Sequence, residues 1–196
     1  MTFLLDPYAA RSCPVKTFNA FDPGTPKPEK PLDESLLEAF SGGSEFRESM
    51  LETLCRADDV VDLHDEGHNP AKTLAAMETG APVIVGGCLP VDVTGHRTGC
   101  PDALVRGDDR PGGRPGYWPL RVKPYRLLEK QHNAKELRAS AIGSPTTLEP
   151  LPGFRFRSYR QGVLLELAHH WRLLQACGRA ATTPVAGVIG FDDHRK

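Results

Sequence analysis

Gln161–Cys177 is the stretch that most constrains the fold. Leu164, Leu167, Ala168, Trp171 and Leu174 recur there at helical spacing, and Gly178 suits the left-handed residue that ends a helix. A helix with one apolar face must bury it, and the chain offers strands to receive it. Pro82–Val85 is an apolar run stopped by Gly86 and Gly87, and it reads as a buried strand. Leu89–Val93 is read as a strand able to pair beside it. Asp102–Arg106, Tyr117–Lys123 and Pro184–Gly190 read as further strands, with Pro119 putting the second of these at a sheet edge or a bulge. The order helix, three or four strands, helix, strand predicts an α/β domain around a mixed central sheet.

The first helix in that order lies before residue 57. Asp33–Phe40 is read as a short helix broken by Gly42 and Gly43, with Ser44 capping a second helix that runs to about Arg56. On the second helix Phe46, Met50, Leu51 and Leu54 share one arc, while Glu45, Glu48 and Glu52 share the opposite one. Arg47 falls in the middle of the apolar arc, an unusual place for a charge. Residues 126–138 are also predicted helical. The chain has 19 glycines and 18 prolines, so long loops are expected, at 23–31 with its four prolines, at 107–116 and at 140–153.

The 196 residues suit a single domain spanning 1–196, with 39% hydrophobic and 25% charged residues, which excludes a wholly disordered chain. No apolar run approaches the ~18 residues of a membrane-spanning helix, and Met1–Tyr8 does not read as a secretion signal. Lys plus Arg number 24 against 25 Asp plus Glu. Without a global basic field, a nucleic acid would have to be held locally, in a cleft or loop. Five cysteines, an odd count without a CxxC pair, argue against a disulfide framework and for a reducing cytoplasm.

Asp102 opens one strand and Lys123 lies near the end of the next strong one. A hairpin between them would set a carboxylate beside an ammonium. Carboxylate oxygens suit a hard cation such as Mg²⁺, and a lysine there can orient a water that attacks a phosphodiester.

Pro101-Asp102 followed by Arg121-Val122-Lys123 resembles the PD-(D/E)XK nuclease motif. The strings Thr94–Arg106 and Tyr117–Lys123 resemble the RecB-like branch of these nucleases, as does Leu164–Gly178, which aligns with its third motif. Tyr8–Lys16 and Ser44–Arg47 also resemble an actinobacterial group of RecB-like nucleases. The resemblance implies an αβββαβ restriction-endonuclease-like core. It implies a deoxyribonuclease of DNA repair or recombination, dependent on Mg²⁺ or Mn²⁺. Its partner would be single-stranded DNA or DNA ends, with any helicase or repair partner left open. In this alignment Asp102 ligates metal and Lys123 positions the water, Glu166 is a substitute metal ligand, and His170 sits at the rim. The departures are equally specific. Arg121 stands where the family has a second acid, Arg47 where an earlier helix often contributes a glutamate, and Glu166 and His170 replace the usual Gln and Tyr. The alternative is therefore an inactive nucleic-acid-binding module in which Arg47 and Arg121 fill the metal position and hold a phosphate directly. The chain is also expected to stop short of where relatives continue, ending in a polar tail after the last core strand.

Positive charge is locally clustered. Arg106, Arg110 and Arg114 line the loop between the motif strands, and Arg155, Arg157 and Arg160 alternate with Phe154, Phe156 and Tyr159. Arg106, Arg121, Arg160 and Tyr159 are the substrate-binding candidates, through phosphate contacts and base stacking. His64 and His68 are four apart, with Cys88 and Cys100 downstream, a donor set zinc favours. Gly67 interrupts the segment, which reads as an exposed polar loop, and Cys88 and Cys100 read as core packing. RecB-like relatives with an iron–sulfur cluster use one early and three late cysteines. Here Cys13 is early and only Cys177 is late, so no iron–sulfur cluster is expected.

Overall fold

The structure, a computed structural model, describes residues 3–26 and 34–192. Residues 27–31 of the Pro-rich segment and the last four residues of the polar tail lie outside that range. The helices are α1 (Pro7–Arg11), α2 (Pro14–Phe21), α3 (Glu34–Cys55), α4 (Pro70–Glu78) and α5 (Gln161–Ala176). The strands are β1 (Val60–Asp62), β2 (Val83–Val85), β3 (Ala103–Arg106), β4 (Tyr117–Val122), β5 (Leu128–Lys130), β6 (Arg138–Ala139), β7 (Glu149–Pro150), β8 (Phe154–Phe156) and β9 (Gly187–Ile189).

A five-stranded mixed sheet runs in the order β1-β2-β3-β4-β9. Its middle is antiparallel, β2 with β3 and β3 with β4. Both outer pairs are parallel, β1 with β2 across α4 and β4 with β9 across α5. Two-stranded ribbons, β5 with β8 and β6 with β7, fill the span between β4 and α5.

Strand alternation divides the core between two faces. Val83, Val85, Ala103, Val105, Trp118, Leu120 and Val122 pack with Leu51 and Leu54 of α3. Ile84, Leu104 and Tyr117 pack on the other face with Met77 of α4 and Leu173 and Leu174 of α5. The buried Tyr117 hydroxyl donates to Ala81 O at 2.9 Å, which satisfies it inside that layer.

Several expectations change. Residues 34–55 form one helix, not two separated at Gly42 and Gly43, and Ser44 caps nothing because it is interior to that helix. Two glycines cost roughly 1 kcal/mol each in a helix, but Gly43 serves a close approach, since a Cβ there would lie 3.3 Å from Pro124 Cγ. Residues 126–138 are not helical; they hold β5 and an irregular turn leading to β6. Leu89–Val93 is not a strand and makes only an isolated bridge, Asp92 to Arg97. β4 is interior, so Pro119 is not on an edge. Tyr117 and Lys123 direct their N–H groups toward the β9 side, to Arg179 O and Ile189 O. Pro119 shares that direction by alternation, yet the β9 ladder begins only at Leu120, so its missing N–H costs no ladder bond.

On α5 the buried face is Val163, Glu166, Leu167, His169, His170, Leu173 and Leu174. Leu164, expected to face the sheet, is exposed. Gly178 follows the helix at φ +69°, the left-handed conformation anticipated for it. No described helix is long and apolar enough to cross a membrane.

Candidate functional site

Asp102 precedes β3 and is completely buried. Its Oδ2 accepts a 2.7 Å hydrogen bond from the Val122 N–H of β4. Its Oδ1 accepts from Arg47 Nε at 2.6 Å and from Arg121 Nη1 at 3.3 Å. Arg47 can reach it because it lies one and two turns before Leu51 and Leu54 on the α3 face that meets the sheet. The charge in the apolar arc is thus directed at the buried carboxylate of Asp102.

Glu166 is the second buried carboxylate, carried on the inner face of α5. Its Oε2 accepts from Lys123 Nζ at 2.6 Å, and its Oε1 lies 2.9 Å from Arg11 Nε. Arg121 stands between the two acids, with Nη1 on Asp102 and Nε 3.5 Å from Glu166 Oε2. That last separation is an ion-pair distance without hydrogen-bond geometry, so the buried Arg121 Nε has no hydrogen-bond partner among the described residues. Arg121 and Lys123 alternate with the α3-facing Leu120 and Val122 and so project to the α5 side.

Four cations, Arg11, Arg47, Arg121 and Lys123, therefore surround two carboxylates. The cluster has a formal excess of two positive charges. Burial, with the charges of Arg121 and Arg11, pulls the Lys123 pKa below the ordinary lysine value, against the opposing hydrogen bond to Glu166.

His170, one turn beyond Glu166, is fully buried and not at a rim. Among the described residues neither ring nitrogen has a partner. A Cβ at Gly99 would lie 3.2 Å from its Nε2, so the ring faces the segment leading to Asp102. Burial first, then the charges of Arg121, His169 and Lys123, depress its pKa to about 3, and the ring is neutral at physiological pH. His169 pairs through Nε2 with Thr98 O at 3.0 Å.

The remaining sequence candidates divide. The Arg160 guanidinium lies 3.9 Å from the Tyr125 ring centroid and 5.2 Å from that of the exposed Tyr159, and the buried Arg160 Nε has no hydrogen-bond partner among the described residues. Tyr125 belongs to the same neighbourhood: burial raises its pKa, and the Glu166 charge adds to the rise. Arg106 is elsewhere. It closes β3 at the end away from Asp102 and bonds Gly80 O and Asp109. Sequence reasoning missed Arg11 and Tyr125. Arg11 closes a five-residue helix capped by Asp6 and opened by Pro7, a legible helix start, but nothing in the sequence sets α1 against α5.

Mg²⁺ or Mn²⁺ does not fit this arrangement. All four oxygens of Asp102 and Glu166 face cationic or backbone donors. A hard cation needs oxygens turned toward it and would sit beside the three guanidinium groups of Arg11, Arg47 and Arg121, whose like charge opposes it. The arrangement suits an anion, with spare positive charge and the partly exposed Arg11 and Arg47 guanidinium groups on its solvent side to receive phosphate oxygens.

Cys88 and Cys100, read as separate core residues, are joined in a disulfide, while Cys13, Cys55 and Cys177 are free. His68 comes close to this pair, and His64 instead pairs with Asp62. No family model, curated protein or solved structure matches this chain.

Proposed function

We propose that this chain is a nucleic-acid-binding module built on a nuclease-like core, in which Arg47, Arg121, Lys123 and Arg11 hold a backbone phosphate where a nuclease would hold metal. The observation that carries the reading is Arg121, set between two buried carboxylates at the position where a nuclease would offer a second acid. Beyond β1 and α4, which follow α3, the order antiparallel β2-β3-β4, α5 and a final strand parallel to β4 supports a restriction-endonuclease-like core. Arg160 stacked near Tyr125 and the exposed Tyr159 adds a surface for unstacked bases, which favours single-stranded DNA or DNA ends.

Fluorescence anisotropy with a labelled single strand tests this. Binding is expected in the presence of chelator. It should weaken with salt, and the log–log salt slope should fall by about one for each of Arg47→Ala and Arg121→Ala. A folded protein that binds no single strand, or binds only with added metal, overturns the reading.

One observation favours, as the second reading, a metal-dependent deoxyribonuclease whose metal would have to displace the ion pairs that now occupy both acids. Lys123 and Glu166 share a hydrogen bond, and Arg121 links Glu166 to Asp102, so lysine and both acids meet in one place. Cleavage of linear DNA in Mn²⁺, abolished by Asp102→Ala and by Lys123→Ala, would select it.

A further inference from the structure

His68, Cys88 and Cys100 form a second group of chemically able side chains, separate in composition from the ion-pair cluster. One donor atom from each lies within 4.8 Å of the other two. His68 Nδ1 is 3.9 Å from Cys100 Sγ. Three different parts of the chain supply them. His68 follows the short turn His64–Glu66 and stands next to Asn69, whose side chain accepts from Lys72 N–H at the start of α4. Cys88 follows β2, and Cys100 lies two residues before Asp102. Cys88 is buried, Cys100 is half-buried and His68 is exposed, so the group opens toward solvent on the histidine side.

Two sulfurs and an imidazole are a soft donor set. Zinc takes such ligands tetrahedrally, and three protein ligands leave a fourth position for water. While the sulfurs are bonded to each other, neither is a thiolate, and the set is incomplete. We propose that reduction of the Cys88–Cys100 disulfide converts this group into a zinc site with Cys88, Cys100 and His68 as ligands. The reductant is a dithiol. It gives two electrons and two protons, closes to its own cyclic disulfide, and leaves Cys88 and Cys100 as thiols after their S–S bond breaks. Zinc then displaces both thiol protons, and neutral His68 donates a ring nitrogen lone pair. The same two sulfurs thus hold either each other or a metal, and both states tie the end of β2 to the segment entering β3.

The test is zinc titration of the full chain after dithiol treatment and anaerobic removal of the dithiol, read by competition with a colorimetric chelator. Reduced wild type should hold one more equivalent of zinc than Cys88→Ser and Cys100→Ser. Those variants retain Cys13, Cys55 and Cys177 and so measure what the other thiols bind. Oxidised wild type should match the serine variants. His68→Ala should weaken binding by at least the roughly tenfold that loss of an outer-shell partner alone costs. With Co²⁺ in place of zinc, the reduced wild type should show a thiolate-to-metal charge-transfer band that both serine variants lack. The proposal is overturned if reduced, folded wild type holds no more zinc than the serine variants. It is equally overturned if oxidised protein binds as well as reduced, or if His68→Ala leaves affinity unchanged.

Discussion

Arg47 Nε lies 2.6 Å from Asp102 Oδ1, joining residues 55 positions apart in the chain. The contact links a helix on one face of the sheet to the strand that leads into the charge cluster. Asp102 is fully buried, while the Arg47 side chain is 43% exposed. The carboxylate therefore depends on its partners more than they depend on it. Asp102→Ala leaves the Val122 N–H without its acceptor and Arg121 without its nearer acid. Breaking a buried pair costs roughly 3–5 kcal/mol, and the lower end applies because Arg47 can turn out to water. Urea unfolding of Asp102→Ala should show a loss of about 3 kcal/mol, with Asp102→Asn losing less because its amide oxygen still accepts from Val122.

His170 predicts the response to acid. Its folded pKa is about 3, against 6.5 for a free histidine. The unfolded chain therefore takes up a proton that the folded one refuses. Stability falls as pH drops below 6.5, by about 1.4 kcal/mol per pH unit at the steepest, and this contribution stops falling below about 3. His169, also depressed by burial, adds in the same direction. Chemical denaturation between pH 7 and about 5, above the ordinary carboxylate range, isolates the histidine part. His170→Leu should flatten the slope there, and an unchanged slope would mean that the ring takes up its proton in the folded chain as it does in the unfolded one.

Arg121→Glu separates the two readings of the charge cluster. The substitution replaces the guanidinium between Asp102 and Glu166 with a third acid. Mn²⁺ binding, measured calorimetrically, should appear or strengthen, and metal-free single-strand binding should weaken. DNA cleavage by the same preparation in Mn²⁺ is the expected gain. Unchanged metal affinity in a folded variant would place Arg121 outside the site that controls it.

Gly116, just before β4, predicts a packing effect unrelated to charge. A Cβ there would lie 2.3 Å from Asp108 O and 2.6 Å from Ala181 Cα, both backbone atoms that cannot rotate away. Gly116→Ala should destabilise by ~1–3 kcal/mol or more, the cost of forcing extra volume into a packed place. Thermal unfolding would register this as a lower Tm.

The strands that are short apolar runs were legible, because β2, β3, β4 and β9 all lie within Pro82–Val85, Asp102–Arg106, Tyr117–Lys123 and Pro184–Gly190. So was α5, through its leucines and Gly178. Its orientation was not. Reading the packing face through Leu164, Leu167, Trp171 and Leu174 turned the helix toward Leu164, whereas Glu166 and His170 both lie on the buried face, and Leu164 and Leu165 face out. Ion pairs from Arg11 and Lys123 make Glu166 burial tolerable, and those partners come from distant segments that periodicity does not see. β1 escaped notice because three residues ending in Asp62 make a weak pattern. α4 had a readable start in Asn69 and Pro70, a cap followed by proline in the first turn. The Cys88–Cys100 bond was hidden by the odd cysteine count. Arg47 was the best local signal of the site, since a charge in an apolar arc requires a buried partner.

The sheet ends at β1 and β9, each three residues long. An edge strand exposes a row of unpaired N–H and C=O groups that can recruit another chain, and a short edge recruits poorly. The six-residue β4, rich in aromatic and branched side chains, is enclosed between β3 and β9. The longest strand among the described residues is therefore covered on both sides. Self-association through β4 would require β9 to detach first, which makes undocking of that strand the event to suppress when handling the protein at high concentration.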